Sequence, residues 1–400
     1  MNGDGPLAGL VVVDMGQLLA APEAAMLLAD FGATVIKVEP PTVGDISRKS
    51  GWEVNGTSVW WRWLGRNKYA VTINIKDPRG QKLVRRLIDG ADVLIENMRP
   101  GKLEAANLAP EDLHSTNPDL VILRVTGWGQ TGPYSDRACF GTQVEAMSGF
   151  AAANGQPDGP PTLPTFAIAD AAAGYLGAFS VMTALHGRDK HPEKRGEVID
   201  LSLMEAMFGL LGPQASAYSA LKAMPQRIGS RSPMGAPRNI YKTRDERWLA
   251  ISCTANRIAH RVFTLIGQGH LLDDPEYSTP EGRLRNVDKV DELVQAWVGA
   301  RDGNDVIGQF SAAGATVAPV YTIADIEEDE HFASRKMIVD VPMENNESLR
   351  MQNVFPRFQH NPGSVKWSGR ELGADNTAVF MERLGLSQQE FEEYKRDGVI

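Results

Sequence analysis

Short, almost wholly apolar runs recur through the first half of the chain: GLVVVDM from Gly9, TVIKVEP from Thr34, AVTINI from Ala70, DVLIEN from Asp92 and DLVILRVT from Asp119. They are rich in Val and Ile and barely alternate with polar residues, the pattern of strands covered on both faces. Segments with a helical period separate them, over about 20–31 and again over 78–90, where Leu83, Val84, Leu87 and Ile88 share one stripe. Strand and helix in alternation predict an α/β fold with a parallel sheet flanked by helices.

The pattern then changes. The Gly/Pro-rich stretch NGQPDGPPTLPTFAI can be neither strand nor helix interior, so it reads as a loop delivering Asp170 to the start of a long apolar helix over about 170–186. A strand, EVIDLS, and one long helix over about 203–220 are expected next. After the loop-like SRSPMGAPRNI, the segments IYKT, RWLAISC, RIAHRVFTLIG and KVDELVQAWVG predict a smaller α+β domain. From Tyr321 onward the chain reads as a strand-poor tail ending in a helix. There is no internal repeat.

Composition narrows the function. With 400 residues, 42% of them hydrophobic and 23% charged, the chain is long enough for two domains and far from the signature of disorder. A net charge of -9 argues against a nucleic-acid partner. The opening MNGDGPLAGLVVVDM does not read as a signal peptide, and no apolar run is expected to reach membrane-spanning length, so the expected location is cytoplasmic. Cys139 and Cys253 form no CxxC pair and read as buried thiols, and no HExxH or His-x-His pattern points to a metal.

Candidate chemistry must therefore come from elsewhere. The string from Gly127 to Gly132 matches GxGxxG after a predicted strand, but Pro133, Tyr134, Ser135 and Asp136 continue as a turn where a dinucleotide fingerprint would open a helix. It reads as a tight loop, and NAD binding is not expected. On position alone Asp170 reads first as a helix cap, but Ala171, Ala172, Ala173 and Gly174 follow it, small residues that leave room for a ligand beside the carboxylate and shift the balance. Arg66, Lys68, Lys76, Arg99 and Arg137 stand on predicted loops as candidate phosphate contacts.

Taken in order, PLAGLVVVDM, ADFGATVIKVEPP, RNKYAVTINIKDPRG, ADVLIENMRPG, GWGQTGPYSDR, the Asp170 helix, RGEVIDLSLMEAM, APRNIYKTRDERWLAI, APVYTIADIEEDEHFASR and the terminal DGVI make the chain similar to the family III CoA-transferases. That group includes formyl-CoA transferase, carnitine CoA-transferase and α-methylacyl-CoA racemase. The resemblance implies that Asp170 is the catalytic carboxylate and that coenzyme A or its acyl ester is a substrate, with no tightly bound cofactor. It implies an acyl-CoA donor, a carboxylic acid acceptor and covalent aspartyl intermediates, with backbone N–H groups at the helix start stabilising the oxyanion. CoA contacts carry over to Leu19, Ala20, Ile73, Lys76, Asn97, Met98 and Arg99; Pro40 stands where formyl-CoA transferase has an arginine, which leaves Arg137 as the first candidate for the phosphates.

A Rossmann-like large domain over about 1–215 and 330–400, a small domain over about 225–325, and an interlocked homodimer are also implied by the resemblance. Phe140 replaces the histidine of the racemase branch and Gly141 the acid that commonly follows, which disfavours racemisation. The glycine run of formyl-CoA transferase is absent, with only Gly229 and Gly235 nearby. A second carboxylate on the substrate would be a task for Arg231 or Arg238. A racemase or epimerase of the same family, or a silent CoA-binding protein, is the alternative reading.

Overall fold

A computed structural model of the chain describes residues 4–54, 56–193, 195–344 and 347–400. Six strands form one parallel sheet: β1 (Val11–Asp14), β2 (Thr34–Glu39), β3 (Lys68–Thr72), β4 (Val93–Glu96), β5 (Val121–Thr126) and β6 (Val198–Ser202). Their order is β3-β2-β1-β4-β5-β6, so the order reverses between β1 and β4. That is the switch point where ligands of open α/β sheets bind, beyond the carboxyl ends of the strands. The first five strands are the apolar runs of the sequence, and each is buried almost throughout.

Helices cover both faces. Four matter below: α1 (Ala20–Asp30), α2 (Pro78–Asp89), α3 (Gly141–Met147) and α4 (Ile168–Lys190). The start of α2 follows from local chemistry: Asp77 Oδ1 accepts from Arg79 N at 2.8 Å, and Pro78 takes the first helical position, where no N–H is needed. Leu83, Val84, Leu87 and Ile88 then bury their stripe against the sheet.

The chain terminus closes one side of this unit. Asp375 Oδ2 accepts from Ala70 N at 2.8 Å and Asn376 Oδ1 from Thr72 N at 2.9 Å, satisfying the outer amides of edge strand β3. Val379, Phe380, Phe391, Val399 and Ile400 join the core beneath.

The single long helix expected over 203–220 is in fact two, Leu203–Gly209 and Gln214–Leu221. Gly212 at φ +66 and Pro213, which has no N–H to continue a helical ladder, separate them. The tail is also less strand-poor than expected, since Ile338–Pro342 pairs antiparallel with Ser348–Gln352. The expectation about apolar length needs a further correction. Helix α4, with 23 residues, is long and apolar enough to cross a membrane, yet it packs along α1 and buries Ala173, Gly174, Gly177 and Val181.

Contacts divide the chain into two units: Met1–Ala151, Leu163–Ala223 and Ala333–Ile400 make the larger, and Ala152–Thr162 with Met224–Phe332 the smaller. In the smaller, Arg238–Lys242, Trp248–Ser252 and Val317–Pro319 form an antiparallel sheet over a core of Tyr241, Leu249, Val262, Val294 and Phe310.

Candidate active site

Asp170 is the third residue of α4. The residue at the helix's N-cap is Ala167, so the Asp170 carboxylate is inside the first turn rather than at the cap. Two close approaches place it. Helix α4 meets α1 through glycine: a Cβ on Gly174 would come within 2.9 Å of Glu23 Cβ, and one on Gly177 within 3.3 Å of Ala24 Cβ. On the other side, Asp170 Oδ2 fills the space a Cβ on Gly141 would need, so the carboxylate lies against the first residue of α3. The acid-to-glycine departure noted in the sequence thus has a geometric use.

Two acids missing from the sequence reading share this neighbourhood. Glu145, 4% exposed, accepts a long 3.5 Å bond from Ala169 N. Glu23, 3% exposed, leaves Oε2 with no hydrogen-bond partner. Burial, then the Glu145 charge, pushes Asp170 up to about 6. Burial, then the Asp170 charge, pushes Glu23 up to about 7, against the pull of Arg66 and Lys68. Cys139, half-buried rather than buried, is raised to about 11 by burial and by Asp170, which leaves a neutral thiol beside the site. The signal for both acids was present in the sequence: each is a lone glutamate inside an apolar helical stretch, APEAAM and VEAM.

The expected oxyanion donors at the helix start are already engaged. Ile168 N donates to Phe166 O at 2.8 Å, Ala171 N to Ala167 O at 3.0 Å, and Ala169 N faces Glu145. Of the candidate phosphate contacts, two are withdrawn. Arg66 is buried on Asp30, and Lys68 is buried on Asp14 at 2.8 Å. Lys76, Arg99 and Arg137 are exposed, the last stacked 3.7 Å from the Tyr134 ring centroid. Arg231 is committed to Asp291 at 2.8 Å and to Asp288 at 2.7 Å, while Arg238 is exposed and donates to the carbonyls of Ser230 and Arg231.

The remaining candidates follow strand ends on the carboxyl side of the sheet. Leu19 and Ala20 come after β1, buried at the start of α1; Ile73 comes after β3, buried; Asn97 and Met98 come after β4, half-buried. The GxGxxG loop after β5 is a turn with Gly129 and Gly132 at positive φ. Gly129 N donates to Thr126 Oγ1 at 2.9 Å and Gln130 N to Asp200 at 3.0 Å, so those amides serve the protein. Among the described residues, no group of three His, Cys, Asp or Glu side chains could hold a metal.

A switch-point sheet with a carboxylate set among small residues accords with a match of residues 7–376 to the family model described as CoA-transferase family III. The chain belongs to that family. It is 38% identical to succinyl-CoA–D-citramalate CoA-transferase of Chloroflexus aurantiacus, over 99% of this chain and 98% of that one. It is 35% identical to the succinyl-CoA–L-malate CoA-transferase beta subunit of the same organism, again over 99% and 98%. A CaiB/BaiF family protein from Brucella suis has the same fold, with a TM-score of 0.84 at 30% identity over 95% of this chain and 99% of that one. This family III member is an enzyme of the CoA-transferase type, and coenzyme A esters are its substrates.

Proposed function

We propose that this enzyme moves CoA from an acyl-CoA donor to a carboxylic acid through covalent intermediates on Asp170. The observation that carries the reading is the placement of that carboxylate: in the first turn of α4, uncapped, unpaired by any cation among the described residues and flanked by glycine and alanine. With its pKa near 6 the group is mostly ionised at neutral pH yet more basic than a solvated aspartate.

The steps balance without proton transfer. An Asp170 oxygen attacks the thioester carbonyl, the C–S bond breaks, and CoA leaves as thiolate from a mixed anhydride. The thiolate attacks the aspartyl carbonyl of the anhydride, releasing the first carboxylate and forming an aspartyl-CoA thioester. The acceptor carboxylate attacks that thioester, expelling thiolate and forming a second anhydride. Attack of the thiolate on the acceptor's acyl carbon then regenerates Asp170. Each intermediate is open to hydrolysis, so the site must exclude water.

The relatives named for citramalate and malate support succinyl-CoA as donor and a small dicarboxylate as acceptor. Leu19, Ala20, Ile73, Lys76, Asn97, Met98, Arg99 and Arg137 are proposed CoA contacts. A cytoplasmic homodimer, interlocked as in the family, is part of the reading. Its support is an apolar stripe of exposed Tyr175, Phe179 and Met182 on α4, together with exposed Phe208, Leu210, Tyr218 and Leu221, apolar surface of the kind that marks an interface.

Mass spectrometry of the enzyme incubated with succinyl-CoA and quenched with hydroxylamine or borohydride tests the mechanism. Modification at Asp170 alone is expected. CoA binding with no modification, together with deuterium wash-in at the substrate α-carbon, would instead establish the racemase reading.

A further inference from the structure

The turn after β1, residues 16–19, has most of its backbone polar groups held by side chains of Asp14, Lys37, Asp45 and Asn97. Gly16 N donates to Asp14 Oδ1 at 2.9 Å, and Gly16 O accepts from Lys37 Nζ. Gln17 N donates to Asn97 Oδ1 and Gln17 O accepts from Asn97 Nδ2, both at 2.8 Å. Leu18 N donates to Asp45 Oδ1 at 3.1 Å, and Leu19 O accepts from Glu23 N at 2.8 Å. Behind these bonds runs a charge chain. Lys37 Nζ lies 2.8 Å from Asp45 Oδ2 and 3.8 Å from Asp14 Oδ1, and Lys68 Nζ lies 2.8 Å from Asp14 Oδ2.

The side chains of Asp14, Lys37 and Asp45 are inaccessible to solvent or nearly so, and two cations balance two anions. What they hold is a strained shape, with Leu18 at φ +69, in the left-handed region that a branched residue avoids. Apolar residues would close a sheet at less desolvation cost. Charges converging from β1, β2 and the 40–45 loop on one strained turn at the switch point are instead the arrangement of a preorganised binding element.

We propose that Asp14, Lys37 and Asp45 are positioning residues that, together with the CoA contact Asn97, clamp residues 16–19 in the CoA-receiving shape before CoA arrives. This rests on the reading of Leu19 and Ala20 as CoA contacts. A loop already ordered loses little entropy on binding, so the clamp acts on affinity and leaves the chemical step alone.

Asp45→Ala in the full-length enzyme is the test. Calorimetry with CoA should show binding roughly 10- to 100-fold weaker, and KM for the acyl-CoA should rise in step while kcat changes by less than about threefold. Asp45→Asn, which keeps an acceptor for Leu18 N, should fall between. A folded Asp45→Ala protein with unchanged CoA affinity, or one losing kcat at unchanged KM, overturns the clamp. Should that variant not fold, hydrogen exchange on the wild type decides: slow amides at Gly16, Gln17 and Leu18 without CoA support the clamp, and amides protected only after CoA is added overturn it. Wild-type enzyme that binds no CoA overturns the underlying reading and the clamp with it.

Discussion

Two clusters of buried charge in the larger unit are built on opposite principles. Around Asp14, Lys37, Asp45 and Lys68 every charge has an opposite partner, and the product is a shape. Around Asp170, Glu23 and Glu145 come three acids with no cation in contact among the described residues: burial and then the Glu145 charge hold Asp170 above its ordinary range, and burial and then the Asp170 charge do the same for Glu23. Buried pairs are weak sources of stability but strong sources of geometry, whereas buried unpaired acids destabilise the fold and raise basicity. The two clusters meet only at long range, through the pull of Lys68 on Glu23.

The largest expected effect comes from removing the reactive charge. Asp170→Asn should lower turnover at least about 10³-fold, since the proposed mechanism places the covalent intermediate on that carboxylate. The same change should stabilise the fold at pH 8 by roughly 1–2 kcal/mol, because an uncharged amide replaces an acid whose ionised form is poorly accommodated. Steady-state rates and urea midpoints measured on one preparation would show both; a destabilised variant would contradict the contrast.

Breaking the compensated cluster should do the reverse. Lys37→Met leaves Asp14 and Asp45 facing each other without their shared cation and should cost about 3–5 kcal/mol in denaturant unfolding. A loss below about 1 kcal/mol would mean that the charges hold nothing.

Gly141→Ala tests the close approach between α3 and α4. Its methyl would displace Asp170 Oδ2, the end of a side chain that can rotate, so the fold should survive with turnover down about 10²-fold. Wild-type rates would show that the carboxylate's position at Gly141 is immaterial.

The smallest effect is in pH dependence. Asp170 and Glu23 have folded pKa values of about 6 and about 7, above the ordinary 3.8 and 4.5. The folded enzyme therefore binds more protons than the unfolded chain between about pH 4 and 7, and this contribution to stability falls as pH rises through that window. The gap in melting temperature between wild type and Asp170→Asn should be near zero at pH 4 and reach its full size above pH 7. Turnover per bound substrate should rise toward a plateau above pH 6 as Asp170 ionises. A rate independent of pH between 5 and 7, with chemistry limiting, would put the nucleophile elsewhere.

The scaffold of the larger unit was legible in the apolar runs. A strand buried on both faces leaves little choice of residue, so β1 to β5 and the α2 stripe are visible without coordinates. So was the isolation of Asp170 among small residues. Glu23 and Glu145 were not, because a glutamate in an apolar helix looks the same whether it faces solvent or a second acid from a helix far away in sequence. Arg66 and Lys68 misled for a related reason: each looked like a free loop cation, and only the tertiary partner, Asp30 or Asp14, shows that it is committed.

By itself, the sequence determined the parallel α/β scaffold and the family and marked Asp170 as the proposed nucleophile, because these rest on local pattern and on many motifs in one order. Tertiary structure alone decided which charges are neutralised and which stay reactive. That outcome depends on burial and on distances between residues tens to hundreds of positions apart, and electrostatic energy in a low-dielectric interior is governed by just those two quantities.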